Sequence, residues 1–335
     1  MKTKVILIFV VCAMWLLYYS CRKDEYVDAK EELTPYTLNY PSYFPELPAH
    51  SYNPTSVEGV TLGRYLYYDT LLSNVGLSCS SCHFQSNSFT DSVANSLAHI
   101  NLAWANSFLW NGSVNGTLED AMLFEVEEFF QTNISRLNTN VFYREKFKLV
   151  YDVNYISSKD VSYALAQFVR SLISGNSKFD RYMRYEEMLT LSELNGYAIF
   201  NSERGDCFHC HSIGLFTDNR FHNIGLDSVY DQYNSGYYEY TGAAADIGKF
   251  KTPTLRNVAL TAPYMSDGRF QTLAEVIEHY NTGVKISATV DPVLTKPNHL
   301  YGLNLTTQDK ADLEAFLNCL TDTSFIANPQ FADPR

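Results

Sequence analysis

Apolar residues recur at helical spacing along most of this chain and alternate at period two almost nowhere, so the fold class is mainly α. Residues 56 to 72 place Leu62, Tyr65, Leu66 and Leu71 on one side of a helix, and Ser158 opens another with Val161, Ala164, Leu165, Phe168, Val169 and Leu172 facing inward. A further helix is expected from Leu191 to Phe200. Thr117-Leu-Glu-Asp120 opens a helix after the apolar segment Leu102 to Trp110. Thr272-Leu-Ala-Glu275 is a capping box ahead of Leu273, Val276, Ile277 and Tyr280, and Gly283 suits the C-cap of that helix. A last stripe, Leu313, Phe316, Leu317 and Leu320, has the unpaired Cys319 at its edge, read as a buried structural thiol.

The first residues follow a different pattern. Lys2 and Lys4 precede an apolar run from Val5 to Leu17, then Tyr18-Tyr19-Ser20-Cys21 and the polar Arg22-Lys23-Asp24-Glu25. This describes an export signal over residues 1–20, with Cys21 as a lipidated N-terminus and 21–38 as a polar tether. An uncleaved anchor is the alternative, but the run is short of the ~20 residues a spanning helix needs. The folded part is then expected outside the cytoplasm, in the bacterial periplasm or cell envelope, as a membrane-anchored lipoprotein.

Two pentads carry the chemistry: Cys79-Ser-Ser-Cys82-His83 and Cys207-Phe-His-Cys210-His211. In each, two thiols can add to the vinyl groups of one haem while the histidine supplies an axial iron ligand. Redox CxxC pairs or half zinc sites are the bland alternatives. A closed zinc site needs four ligands, and no second CxxC lies near either pentad. Two covalent c-type haems are therefore expected, each reached through a helix that leads into its pentad; beyond that helix–pentad layout the two halves show no match. The segment Ser174 to Asp180 divides an N-terminal haem domain, 39–176, from a C-terminal one, 177–325. Loss of the leader's two lysines takes the formal net charge from −12 to −14, which argues against nucleic acid and suits a basic electron donor.

The chain resembles the bacterial diheme cytochrome c peroxidase family, which includes the methylamine-utilisation diheme enzyme MauG. The likeness runs from about Asn53 to Thr321. It rests on Asn53-Pro-Thr, Leu62-Gly-Arg-Tyr-Leu-Tyr-Tyr-Asp, the first pentad, Leu102-Ala-Trp, Trp110-Asn-Gly, Ser177-Lys-Phe-Asp-Arg and the second pentad. The most specific mark is the run from Thr252-Pro-Thr-Leu-Arg-Asn to Ser266-Asp-Gly-Arg-Phe270. The resemblance implies two cytochrome-c-like haem domains with long loops. Hydrogen peroxide would react at the first haem, and a small donor cytochrome or cupredoxin would feed the second. It puts Trp110 between the haems, His83 and His211 on the two irons, and Tyr280 in the sixth position of the second haem, with Met265 and His279 as alternatives.

It also implies calcium held by Asn95 with the carbonyls of Thr261 and Pro263, and a homodimer, as in many relatives. Two departures stand out. No histidine lies in the loop between His83 and Asn95, so the first iron is expected to be open; His99 reads as a buried, hydrogen-bonded residue, with ligation as its alternative. The family's acid–base glutamate aligns with Gln131, and Glu125, Glu127 or Glu128 could replace it after a small register change. A peroxidase is the first reading of the sequence. A MauG-like oxidase of a protein or organic substrate and a non-enzymatic electron-transfer module are the rivals.

Overall fold

Capping chemistry sets where the helices begin. The structure, a computed structural model, describes residues 32–335 apart from 92, 94 and 298–301; the leader, Cys21 and His299 lie outside the described residues. Its helices are α1 Val57–Tyr68, α2 Leu118–Phe124, α3 Ile134–Thr139, α4 Val141–Tyr151, α5 Ser158–Ser171, α6 Lys178–Met183, α7 Leu191–Phe200, α8 Tyr238–Thr241, α9 Leu273–Glu278, α10 Thr307–Asn318 and α11 Thr323–Ile326. The caps of α2, α5, α6, α7, α9 and α10 are reciprocal capping boxes, in which a Ser or Thr at the cap and an acid three residues on satisfy each other's backbone N–H groups. Two short antiparallel pairs supply the sheet, β1 Ser107–Phe108 with β2 Val114–Asn115 and β3 Phe221–His222 with β4 Phe250–Lys251. The class is mainly α, as the apolar spacing predicts.

Within the compact unit Leu33–Arg335, burial gathers into two large clusters. The first holds Leu62, Leu66, Phe89, Leu165 and Phe168, and the second Phe179, Phe200, Phe216, Phe316 and Leu320. The chain leaves the first near Leu172 and enters the second at Phe179. Its tail then turns back, and Phe325 and Phe331 complete the first cluster. Buried ion pairs pin each part. Arg170 meets Glu119, which also accepts from Asn53 Nδ2 at 2.7 Å. Arg256 donates to both carboxylate oxygens of Asp180, at 2.9 and 3.0 Å, with neither side chain exposed. Thus Asp180, in one family-specific motif, is held by Arg256, in another.

The likeness between the halves goes well beyond the helix–pentad layout. Helix α1 packs on α5 through Gly63, where a Cβ would strike the Ala164 carbonyl; α7 packs on α10 through Gly196, where it would strike that of Asp312. Asn101 and Asn257 are both left-handed, at φ 55° and 60°, and their N–H groups donate to Leu172 and Leu320 just after α5 and α10. Leu109 and Met265 (φ 64° and 72°) follow at equal spacing, and then Gly112 and Gly268 (φ 67° and 69°). Next come the caps Thr117 and Thr272, the short helices α2 and α9, and a π-helical turn after each, Glu125–Phe129 and His279–Gly283. Gly283 is therefore the end of a π turn and not a left-handed cap. The helix expected over 56 to 72 also divides, ending at Tyr68 and resuming as a 3₁₀ turn over Thr70–Leu72.

Candidate haem sites

Each pentad folds as a 3₁₀ turn, Cys79–Ser81 and Cys207–His209, that sets its histidine after the second thiol. His83 Nδ1 donates to the Phe89 carbonyl at 2.7 Å, and His211 Nδ1 to that of Phe216 at 2.9 Å. This leaves Nε2 of each ring as the free donor atom, the arrangement that fixes a metal-bound imidazole's tautomer and plane. Burial pushes the His83 pKa down to about 4 and lowers that of His211, so both are neutral and able to ligate. In both halves the carbonyl-bearing phenylalanine is followed by Thr-Asp, Thr90-Asp91 and Thr217-Asp218.

Opposite the second pentad lies a cavity of about 250 Å³, walled largely by apolar residues and reached by Cys207, Cys210, His211, Tyr280 and Met265. Tyr280 sits in the π turn after α9, with its phenol held protonated by burial and by the nearby Cys210 and Cys207. A proximal imidazole, two thiols and a phenol around one apolar slot fit a covalent haem. His279 points elsewhere: its Nε2 donates to the Ile224 carbonyl at 2.9 Å. Met265 lines the slot, but it is the counterpart of Leu109, a packing residue at the same left-handed bend.

In the first half, Glu125 occupies the place of Tyr280: each is the eighth residue after its capping threonine, within the first two positions of the π turn. Glu125 is half-buried, and burial lifts its pKa to about 7. It lies within electrostatic reach of the Cys79 and Cys82 thiols and of Tyr67. Glu127, Glu128 and Gln131 are exposed, and Gln131 takes a left-handed turn (φ 48°) whose carbonyl accepts from Asn74. The acid turned toward the first pentad is thus Glu125, six residues before the position reached by counting. His99 stacks on His83 with ring centroids 3.6 Å apart and planes 17° off parallel. The donor set matches that of the second site except for this histidine and the acid.

Trp110 joins the halves. Its Nε1 donates to the Asn95 carbonyl at 2.9 Å, its own carbonyl accepts from Lys251 N at 2.9 Å, and its side chain lines the second-site cavity. Asn95 reaches across through Nδ2 to the Met265 and Ser266 carbonyls, at 2.9 and 3.1 Å, and Thr261 and Pro263 line the same cavity.

Two cavity residues escaped sequence reasoning. Lys251 is buried, donates to Asn219 Oδ1 at 2.8 Å, and is pushed down to about 8 by burial. His222 lies between Asp218 (2.8 Å) and Asp291 (2.6 Å), which raise its pKa to about 11 and keep it cationic. Asp291 is far along the chain, so no local motif could flag its pairing with His222. His209 meets Glu203 and Asp206 at the surface and takes no part in the cavity. Cys319 is buried, with its thiol donating to the Ala315 carbonyl.

The di-haem cytochrome c peroxidase family matches residues 57–188. The chain is 32% identical over 295 residues to the methylamine utilization protein MauG of Methylophilus methylotrophus, covering 82% of this chain and 85% of that protein. It is also 32% identical over 327 residues to the cytochrome-c peroxidase IdrP1 of Pseudomonas sp. (strain SCT), covering 83% and 84%. Among solved structures, a MauG-like protein associated with microbial copper homeostasis superposes with a TM-score of 0.82 at 33% identity, over 89% of this chain and 99% of that one.

Proposed function

The chain belongs to the di-haem cytochrome c peroxidase and MauG family, and from that membership we propose that it reduces hydrogen peroxide to water with electrons from a small donor cytochrome or cupredoxin. The family description implies two haem c cofactors and an oxidoreductase. Bound haem iron supplies the electron chemistry. His83 and His211 would hold the two irons from one side, and Tyr280 would close the second from the other.

One observation carries this reading: Glu125 stands at the first site where Tyr280 stands at the second. A carboxylate is a weak, displaceable neighbour for iron but a competent proton carrier. With a pKa of about 7, Glu125 can take a proton from one peroxide oxygen and give it to the other as the O–O bond breaks. That proton traffic gives the first site a task beyond relaying charge. Trp110, bonded to backbone of both halves, is the proposed path between the sites.

The finer points belong to the same proposal. Calcium would need the Asn95 carboxamide oxygen to join the Thr261 and Pro263 carbonyls, with the amide turned from its present bonds to Met265 and Ser266. The leader and Cys21 support a lipoprotein facing the periplasm, and a homodimer follows the family habit. Among the described residues, no helix is long and apolar enough to cross a membrane.

The test is steady-state peroxide consumption by the haem-loaded protein with a reduced small cytochrome. Turnover that disappears in His83→Ala supports the proposal, and turnover no higher than in that variant overturns it. Tyr280 favours a second reading, long-range oxidation of a protein or organic substrate, because its phenol, on giving up its proton to bind iron, would stabilise the oxidised metal. A red-edge absorption band typical of methionine-ligated ferric haem at the second site would defeat that reading.

A further inference from the structure

The walls behind the two proximal histidines differ at two matched positions. His99 corresponds to Leu255, because each donates its backbone N–H to the carbonyl that also holds the pentad histidine: His99 to Phe89 at 3.1 Å, Leu255 to Phe216 at 3.2 Å. Tyr67 corresponds to Phe200, each four residues after the glycine at its helix crossing, and both are buried. So where the second site has phenylalanine and leucine, the first has tyrosine and histidine. The two polar residues meet, with the Tyr67 hydroxyl 3.0 Å from His99 Nδ1. A phenol carries its proton at neutral pH, so the Tyr67 hydroxyl donates to the ring nitrogen of His99. His99 is stacked in turn on His83.

Placing a fully buried phenol against a part-buried imidazole costs stability unless the two are satisfied, and a phenylalanine–leucine pair fits the same frame without that cost. We propose that Tyr67 and His99 are positioning residues for the first haem: the hydrogen bond fixes the His99 ring, and the stacked ring fixes the plane of His83 on the iron. Ring orientation and local polarity around an axial ligand tune the metal. A polar wall favours the more charged ferric state, so the pair holds the first haem's potential below the value that a Phe–Leu wall would give. The second site, with its apolar wall, lacks this control.

This inference rests on the reading that His83 ligates the first iron, and the experiment separates the two. Tyr67→Phe, His99→Leu and the double variant, which reproduces the wall of the second site, are loaded with both haems beside His83→Ala. The readouts are the rhombicity of the first haem's electron paramagnetic resonance signal, the iron–histidine stretch in resonance Raman spectra, and both midpoint potentials. The expected result is a changed rhombicity and stretch and a more positive midpoint for the first haem in each single variant. The double variant should equal His99→Leu, since both act through one ring, and the second haem should not move. Wild-type values at the first haem in Tyr67→Phe, which removes only one oxygen, overturn the inference, as does an equal shift at both haems. If His83→Ala leaves the first haem's spectrum unchanged, the assignment of His83 itself has failed.

Discussion

At one point of a shared local frame, the first half of this molecule carries a carboxylic acid and the second a phenol. The frame includes the capping threonine, the short helix, the π turn and the glycine-mediated helix crossing, so the difference between Glu125 and Tyr280 is one of chemistry and not of position. The proximal walls diverge in the same sense, Tyr67 with His99 against Phe200 with Leu255. On the proposed reading, a few side chains would make one of two matched cores an open, proton-carrying site and the other a closed one, while the backbone that aims them is kept.

The comparison breaks most completely at the iron ligands. His211→Ala is expected to remove turnover with the donor to background while leaving the first haem's reaction with peroxide intact, as read by stopped-flow absorbance in a single turnover. Loss of both would show that the halves are not divided in this way. Next in size, Glu125→Gln should slow the reaction with peroxide by about 10²–10⁴-fold, the usual worth of a positioned proton carrier. Glu127→Gln, at an exposed position, should change it less than twofold. Because the carboxylate form must accept the first proton, the wild-type rate should rise about tenfold per pH unit below about 7 and level off above it. A pH profile already flat from 5.5 to 8.5 would remove Glu125 from this role.

Smaller effects sharpen the contrast further. Arg256→Ala leaves the Asp180 carboxylate buried without its cation and should cost about 3–5 kcal/mol in urea unfolding. Hydrogen exchange in that variant should rise first around α6 and α7, and exchange that rises equally in α1 and α5 would show the two clusters to be one cooperative block. Tyr280→Met should raise the second haem's midpoint by on the order of 0.1 V, within the ~0.8 V that axial ligands span, and leave the first unmoved. An unchanged second midpoint would mean that Tyr280 is not its ligand.

Most of the scaffold was legible in the sequence because its signals are local. The helix opening at Thr117, the capping box at Thr272 and the apolar stripe from Leu313 each fall within a few residues, and each forms as expected. Counting from Trp110 lands on Gln131, which lies beyond the π turn at an exposed left-handed bend, whereas Glu125 stands at the start of that turn on the side of the first pentad. That turn brings Glu125 inward and leaves Glu127 outside. The duplication stayed hidden because it lives in backbone conformation: Leu109 and Met265, or His99 and Leu255, share φ values or hydrogen bonds but not chemistry. His222 needed Asp291, 69 residues away, before it could be read as a fixed charge.

The returning tail has a consequence for assembly. Arg64 holds the Pro329 and Ala332 carbonyls, and the Tyr68 hydroxyl donates to that of Phe331, so helix α1, encoded early, is finished by a segment made much later. A ribosome releases the first pentad long before its surroundings can close. The early half therefore stays incomplete until the segment from Phe325 to Ala332 has been made. The second half closes almost as late, because its core needs α10 and Leu320, so neither core is complete before the last part of the fold has been made.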